Sequence, residues 1–142
     1  MGNLRDKLAL VVDDESENIE YISAILDDHQ MKTMSATNGK EALKKVEETK
    51  PDVILLDLLM PEQSGMLFFN ELKKNENYRN IPVIIVSGAS KVTGVDMKAF
   101  IYDEEFSERK KKITGIDAKP EAYVEKPVDP KRLIETIEKF VS

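Results

Sequence analysis

Residues 8–14 read LALVVDD, a run of five apolar residues followed directly by two aspartates. Residues 53–57 read VILLD and follow the same pattern, and residues 81–87, IPVIIVS, form a third apolar run that ends in a serine. Short continuous runs rich in Val, Leu and Ile are typical of strands buried on both faces, as in parallel sheets. These runs therefore predict three inner strands of a parallel sheet, each followed by a polar side chain.

Helical patterns lie between these runs. Apolar residues recur at three- and four-residue spacing in three segments, residues 19–26, 42–46 and 67–72. Two helix starts also carry a capping signal, namely Asn38 with Glu41 three residues later, and Asp129 directly before Pro130. We therefore expect strands and helices to alternate along the chain.

Two weaker strand candidates complete the sheet, at residues 32–36 and 122–125. With them, the sequence predicts five strands and five helices in alternating order, which is an open three-layer α/β sandwich. In such sheets the functional site lies beyond the carboxyl ends of the strands, where the strand order reverses. The residues that end each strand are thus the candidates for function.

The interval before the last strand is longer than this architecture needs. Ser87 and Lys126 lie 39 positions apart, whereas a helix, two loops and a short strand need only about 22 to 25 residues. Residues 103–114 begin with acidic and end with basic residues, a pattern that predicts a helix. We therefore expect an insertion between strands four and five, at about residues 91–102, that forms an ordered loop.

Length and composition bound the class of protein. The chain has 142 residues, a formal net charge of −6, 41% hydrophobic and 34% charged residues and no cysteine. This balance predicts a single globular domain over residues 1–142, with a core at about 8–141. The negative charge disfavours nucleic acid as a direct partner, and no apolar run approaches the ~20 residues of a membrane span. We expect a cytoplasmic protein without membrane contact.

Three carboxylates come at strand ends. Asp13 and Asp14 follow the first apolar run and Asp57 follows the run at residues 53–56, so the three converge if those strands are neighbours. Converging carboxylates repel one another unless a cation neutralises them, and Mg²⁺ suits such oxygen ligands. A single aspartate at a strand end is as often a solvated loop residue as part of a functional site. The set of three favours a metal site.

A hydroxyl and an ammonium are expected at the same edge of the sheet. Ser87 ends the fourth strand and Lys126 the fifth. A carboxylate beside a metal and a lysine can attack a phosphoryl group, because both cations stabilise the transition state, and Asp57 is the candidate nucleophile. Taken singly, a serine at a strand end such as Ser87 is more often bonded to backbone than functional. A lysine such as Lys126 is likewise more often a surface residue than part of a site.

These residues resemble the receiver domains of two-component response regulators, over about residues 8–141. The resemblance rests on four motifs, namely Asp13-Asp14, DLLMP at 57–61 with Gly65, SGA at 87–89 and YVEKP at 123–127. It implies a flavodoxin-like, CheY-like sheet of strand order 2-1-3-4-5. We expect either a stand-alone receiver or a receiver that is part of a longer regulator.

The resemblance also implies a function. A sensor histidine kinase or a phosphotransfer protein would transfer a phosphoryl group to Asp57, with Mg²⁺, or Mn²⁺ in its place, as the cofactor. The implied metal ligands are Asp14, Asp57 and the backbone carbonyl of Leu59, and Asp13 would reach the metal through a water molecule. Lys126 would contact the phosphoryl group, and the Lys126–Pro127 peptide bond would be cis.

The same resemblance implies a switch that acts on partners. Ser87 would hydrogen-bond the aspartyl phosphate while Tyr123 moves from an exposed to a buried rotamer, which alters the strand 4/strand 5 surface. That surface would control the binding of a downstream protein target, and a phosphorylation-dependent homodimer is compatible with it. The chain would then be a signalling domain that catalyses only its own phosphorylation and dephosphorylation.

Three other functions compete with this interpretation. An aspartyl phosphohydrolase would need an acid two residues after Asp57, where Leu59 stands. A flavin or nucleotide carrier would need a phosphate-binding loop after the first strand, where residues 13–15 are all acidic. A phosphorylation-independent, receiver-like interaction module would be expected to lack one of the strand-end acids, the serine hydroxyl or the lysine. All of these are present, so the module remains the minor alternative.

Overall fold

The chain folds around one parallel β-sheet. The computed structural model describes residues 4–57, 64–87 and 120–141, the side chains of Ser64 and Ser87 excepted. The strands in these ranges are β1 (Leu8–Val12), β2 (Lys32–Ala36), β3 (Val53–Leu56), β4 (Val83–Ser87) and β5 (Ala122–Glu125). Their order across the sheet is β2-β1-β3-β4-β5. The chain adds β2 on one side of β1 and all later strands on the other side, so the strand order reverses between β1 and β3. This confirms the strand order that the resemblance implied.

The strand register decides which polar residues meet. Val12 at the end of β1 pairs with Leu56 at the end of β3, so the residues that follow them, Asp13 and Asp57, emerge side by side. On the far side of β3, Ser87 at the end of β4 pairs with Glu125, the last residue of β5. The next residue, Lys126, therefore leaves the sheet at the same edge as the two aspartates.

Four helices pack on the sheet within the described ranges. They are α1 (Ser16–Asp27), α2 (Gly39–Glu48), α3 (Ser64–Lys74) and α4 (Pro130–Phe140). Two of the expected caps are confirmed, because the Glu41 amide donates to Asn38 Oδ1 at 2.8 Å and the Lys131 amide donates to Asp129 Oδ1 at 3.3 Å. Each cap satisfies one of the amides that the first helical turn leaves unpaired.

The two faces of the sheet carry separate apolar clusters. One cluster joins α1 and α4 to alternate strand residues such as Val11, Leu55 and Val124. The other joins α2 and α3 to the intervening residues, among them Leu10 and Leu56. Because side chains alternate between the faces of a strand, each continuous apolar run fills both clusters. The expected three-layer sandwich is thus confirmed.

Two of the expected features lie within residues 88–119, outside the described ranges. The expected insertion at 91–102 and the expected helix at 103–114 both lie there and stay predictions. Among the helices that the structure does describe, none combines the length and the apolar character that crossing a membrane requires.

Candidate functional site

Three carboxylates meet at the carboxyl edge of the sheet. Asp13, Asp14 and Asp57 each place a carboxylate oxygen within 4.8 Å of the other two. Asp13 and Asp57 are buried, with 2% and 6% of their surface exposed, whereas Asp14 is exposed to solvent. The predicted convergence is confirmed, and it follows from the register that aligns β1 with β3.

Lys126 lies between the two buried carboxylates. Its Nζ donates to Asp13 Oδ2 at 2.8 Å and to Asp57 Oδ2 at 3.4 Å. The other oxygen of Asp13 accepts a hydrogen bond from the Glu15 amide at 3.0 Å, which fixes that carboxylate against the start of α1. The lysine therefore binds Asp13 more closely than Asp57.

The environment of Lys126 keeps its side chain charged. Burial by itself would lower the pKa of this amine, but the hydrogen bond that it donates to Asp13 and the charges of Asp57 and Asp13 outweigh that effect, so the pKa lies above its usual value. The ammonium is consequently protonated at neutral pH. It supplies a fixed positive charge next to Asp57.

The donor set fits a divalent cation. One ammonium faces three carboxylates, so the cluster keeps an excess of negative charge, and two of the three acids are shielded from bulk water. Carboxylate oxygens are the ligands that Mg²⁺ prefers, and exposed Asp14 leaves that side of the cluster open to water ligands. Asp13, Asp14 and Asp57 could therefore hold such an ion.

The structure describes some of the remaining predicted site residues fully and others only in part. The backbone of Ser87 lies at the carboxyl end of β4, but its side chain is outside the described part, as is all of Leu59. Tyr123 lies in β5 with 8% of its surface exposed and packs in the cluster under α2 and α3. The Lys126–Pro127 peptide bond is cis, as expected.

Two contacts at the site were not predicted. The first is the ion pair between Lys126 and Asp13, since strand ends indicate which residues meet but not which atoms pair. The second joins the Tyr21 hydroxyl to the carbonyl oxygen of Val128 at 2.9 Å. Tyr21 lies on the outer side of α1, away from the apolar pattern of that helix, so no periodicity signal marks it.

Comparison with known proteins places this geometry in a family. The sequence profile of the response regulator receiver domain matches residues 9–103. The polar-differentiation response regulator DivK of Brucella anthropi is 33% identical over 135 residues, which cover 95% of this chain and 96% of that protein. A probable cyclic di-GMP phosphodiesterase of Vibrio cholerae is 37% identical over 90 residues, but the chain spans only 20% of its length.

Solved structures agree on the fold. The chemotaxis protein CheY4 of Vibrio cholerae has a TM-score of 0.73 at 23% identity, with 96% of this chain and 99% of that chain covered. A putative response regulator from Chloroflexus aurantiacus has a TM-score of 0.74 at 20% identity, covering 96% and 98%. The structural likeness supports the fold, and the sequence matches support the family: the chain belongs to the response regulator receiver family of two-component signalling.

Proposed function

We propose that this receiver accepts a phosphoryl group on Asp57, in a reaction that depends on Mg²⁺, and that the modification changes which proteins it binds. The observation that carries the proposal is the position of the Asp57 carboxylate. It is buried at the end of β3, 3.4 Å from a charged lysine, and it shares a carboxylate cluster with Asp13 and Asp14. Asp57 is the member of that cluster that directly follows β3, the central strand.

Asp13, Asp14 and Asp57 are the residues that would hold the metal, together with the backbone carbonyl of Leu59. When bound, Mg²⁺ neutralises the carboxylates and the charge that develops on the phosphoryl oxygens. Mn²⁺ has a similar preference for oxygen ligands and could replace it. The excess negative charge of the cluster supports this assignment.

The chain's own residues then perform the transfer. A carboxylate oxygen of Asp57 forms a bond to phosphorus while the phosphorus–nitrogen bond of a phosphohistidine donor breaks, and the electron pair of that bond returns to the donor imidazole. Lys126, already charged, contacts the phosphoryl oxygens and stabilises their charge. Ser87 donates a hydrogen bond to the same group from the end of β4.

The phosphoryl group would act on partners by shifting a conformational equilibrium. Ser87 and Tyr123 are the proposed switch residues, on the neighbouring strands β4 and β5. Bonding of Ser87 to the phosphoryl group favours the arrangement in which Tyr123 is buried, which is also its orientation here. The β4/β5 surface would then bind a downstream protein target, or a second copy of the chain.

The partners follow from the family. Receiver domains interact with histidine kinases or phosphotransfer proteins, and either would supply the phosphoryl group here. Such a donor acts in the cytoplasm, where we place this protein. The receiver family is a signalling family, and this member would catalyse only its own phosphorylation and dephosphorylation.

Intact mass spectrometry tests the proposal. The protein is incubated with acetyl phosphate and Mg²⁺ and compared with Asp57→Asn, with Asp28→Asn as an exposed control on the other end of α1, and with an EDTA sample. We expect a gain of about 80 Da for the wild type and for Asp28→Asn. Asp57→Asn and the EDTA sample should show none.

The alternative function predicts a different result. A phosphorylation-independent interaction module would keep its fold and gain no mass under any of these conditions. A gain that persists in Asp57→Asn would also contradict the proposal, because it would place the phosphoryl group on another side chain.

A further inference from the structure

We propose that Tyr21 is a positioning residue for Lys126 and that its hydroxyl sets the rate of phosphoryl transfer. The inference rests on the proposed function, since Lys126 acts on the phosphoryl group there. It concerns a residue of α1 that bonds to the backbone two residues after the lysine. Its effect would pass through the backbone that carries the lysine.

The contact that supports this inference joins distant parts of the chain. The Tyr21 hydroxyl donates to the carbonyl oxygen of Val128 at 2.9 Å, across 107 positions of sequence. Val128 is buried in the cluster between α1 and α4, and it lies two residues after Lys126. The bond therefore attaches the lysine-bearing loop to α1, the helix that begins just after Asp13 and Asp14.

A space in the packing makes the hydrogen bond between Tyr21 and Val128 more important for holding the loop that carries Lys126. A pocket of about 120 Å³ lies between α1 and the loop, lined by Asn18, Tyr21, Ile22, Lys126, Pro127 and Val128. Close packing normally holds a loop in place, and a pocket removes some of those contacts. On this side of the loop, the hydroxyl of Tyr21 replaces part of the missing restraint. At its other end, the loop is held by the Asp129 cap of α4.

The position of the lysine matters because its two bonds differ in length. Lys126 Nζ is 2.8 Å from Asp13 and 3.4 Å from Asp57, so it must turn toward Asp57 to contact a phosphoryl group there. A fixed backbone lets the side chain turn without a shift of its anchor. If the loop moves, the ammonium reaches the transition state less often, and the rate of transfer falls.

The test compares two variants that each remove one tyrosine hydroxyl. Tyr21→Phe keeps the ring and loses the bond to Val128. Tyr78→Phe is the matched control, because Tyr78 is a partly buried tyrosine that lies before β4, at the opposite edge of the sheet. Three quantities are measured in the full chain: the phosphorylation rate constant with saturating acetyl phosphate, the Mg²⁺ affinity, and the NMR signal of the Lys126 ammonium.

We expect Tyr21→Phe to lower the rate constant by about threefold to tenfold, the range that one hydrogen bond can supply. Its Mg²⁺ affinity should not fall, because the carboxylates that would hold the metal follow β1 and β3 and are not carried by the loop of Lys126. The Lys126 signal should shift or broaden in this variant. Tyr78→Phe should match the wild type in all three measurements.

Two results would overturn the inference. A wild-type rate constant in Tyr21→Phe would show that the hydroxyl does not position the lysine. Equal losses of rate and Mg²⁺ affinity would show a general disturbance of the fold instead. If the wild type itself takes up no phosphoryl group, the proposed function fails, and an unchanged Lys126 signal in Tyr21→Phe would then reject the positioning role on its own.

Discussion

Lys126 is the residue whose role depends most on its surroundings. In sequence it is one lysine among many, marked by its place at the end of the last strand and by the YVEKP motif at residues 123–127. In the structure it forms ion pairs with two buried carboxylates that follow two other strands. The sequence could predict the meeting of Asp13, Asp57 and Lys126, because parallel strands end at one edge. It could not predict the preference for Asp13, which depends on side-chain geometry.

The raised pKa of Lys126 predicts how its contribution to stability varies with pH. The folded-state pKa lies above the usual 10.5, so the lysine stabilises the fold fully below that pH and loses its effect as the pH rises through the folded-state pKa. The free energy of unfolding of the wild type should exceed that of Lys126→Met by a constant amount from about pH 7 to pH 10. Above that range the difference should shrink.

Urea unfolding in EDTA buffers at a series of pH values measures this difference. Lys131→Met, which removes an exposed lysine at the start of α4, is the control and should show no such dependence. A difference that already shrinks between neutral pH and about pH 9 would mean that the lysine loses its proton too early. The environment of Lys126 would then not raise its pKa.

At the scale of elements, strands were easier to predict than the long segment before β5. The apolar runs predicted the bounds of β1 and β3, whose residues are buried on both faces and leave little choice of ends. The weaker candidates at 32–36 and 122–125 also have the bounds of β2 and β5. The predicted caps of α2 and α4 were also confirmed. Residues 91–102 have no clear apolar period, so their sequence constrains their structure much less, and the helix expected at residues 103–114 stays a prediction.

The Asn38 cap allows a test at this scale. Asn38→Ala removes the acceptor of the Glu41 amide and should lower the free energy of unfolding by about 1 kcal/mol. Lys40→Ala, in the first turn of the same helix, is the control and should change stability much less. Both are measured by urea unfolding with the wild type. Equal stability of Asn38→Ala and Lys40→Ala would show that the cap bond contributes nothing.

On the scale of the whole molecule, the carboxylate cluster would link metal binding to folding. The three acids come together only when β1 and β3 are paired, so the unfolded chain offers no comparable site. A ligand that binds only the folded state stabilises it in proportion to the logarithm of its concentration. The stability of the whole fold therefore reports on a site at one edge of the sheet.

This linkage gives a prediction in which Lys126 and Mg²⁺ compete. Mg²⁺ at about 100 times its dissociation constant should raise the free energy of unfolding of the wild type by about 2.7 kcal/mol. Lys126→Met should be less stable than the wild type in EDTA, because it leaves two buried carboxylates without their ammonium. It should bind Mg²⁺ more tightly, since no side-chain cation then occupies the carboxylate oxygens. Magnesium titrations followed by urea unfolding measure the stability and the Mg²⁺ affinity of both proteins. Weaker Mg²⁺ binding in Lys126→Met would show that the lysine assists metal binding rather than competing with it.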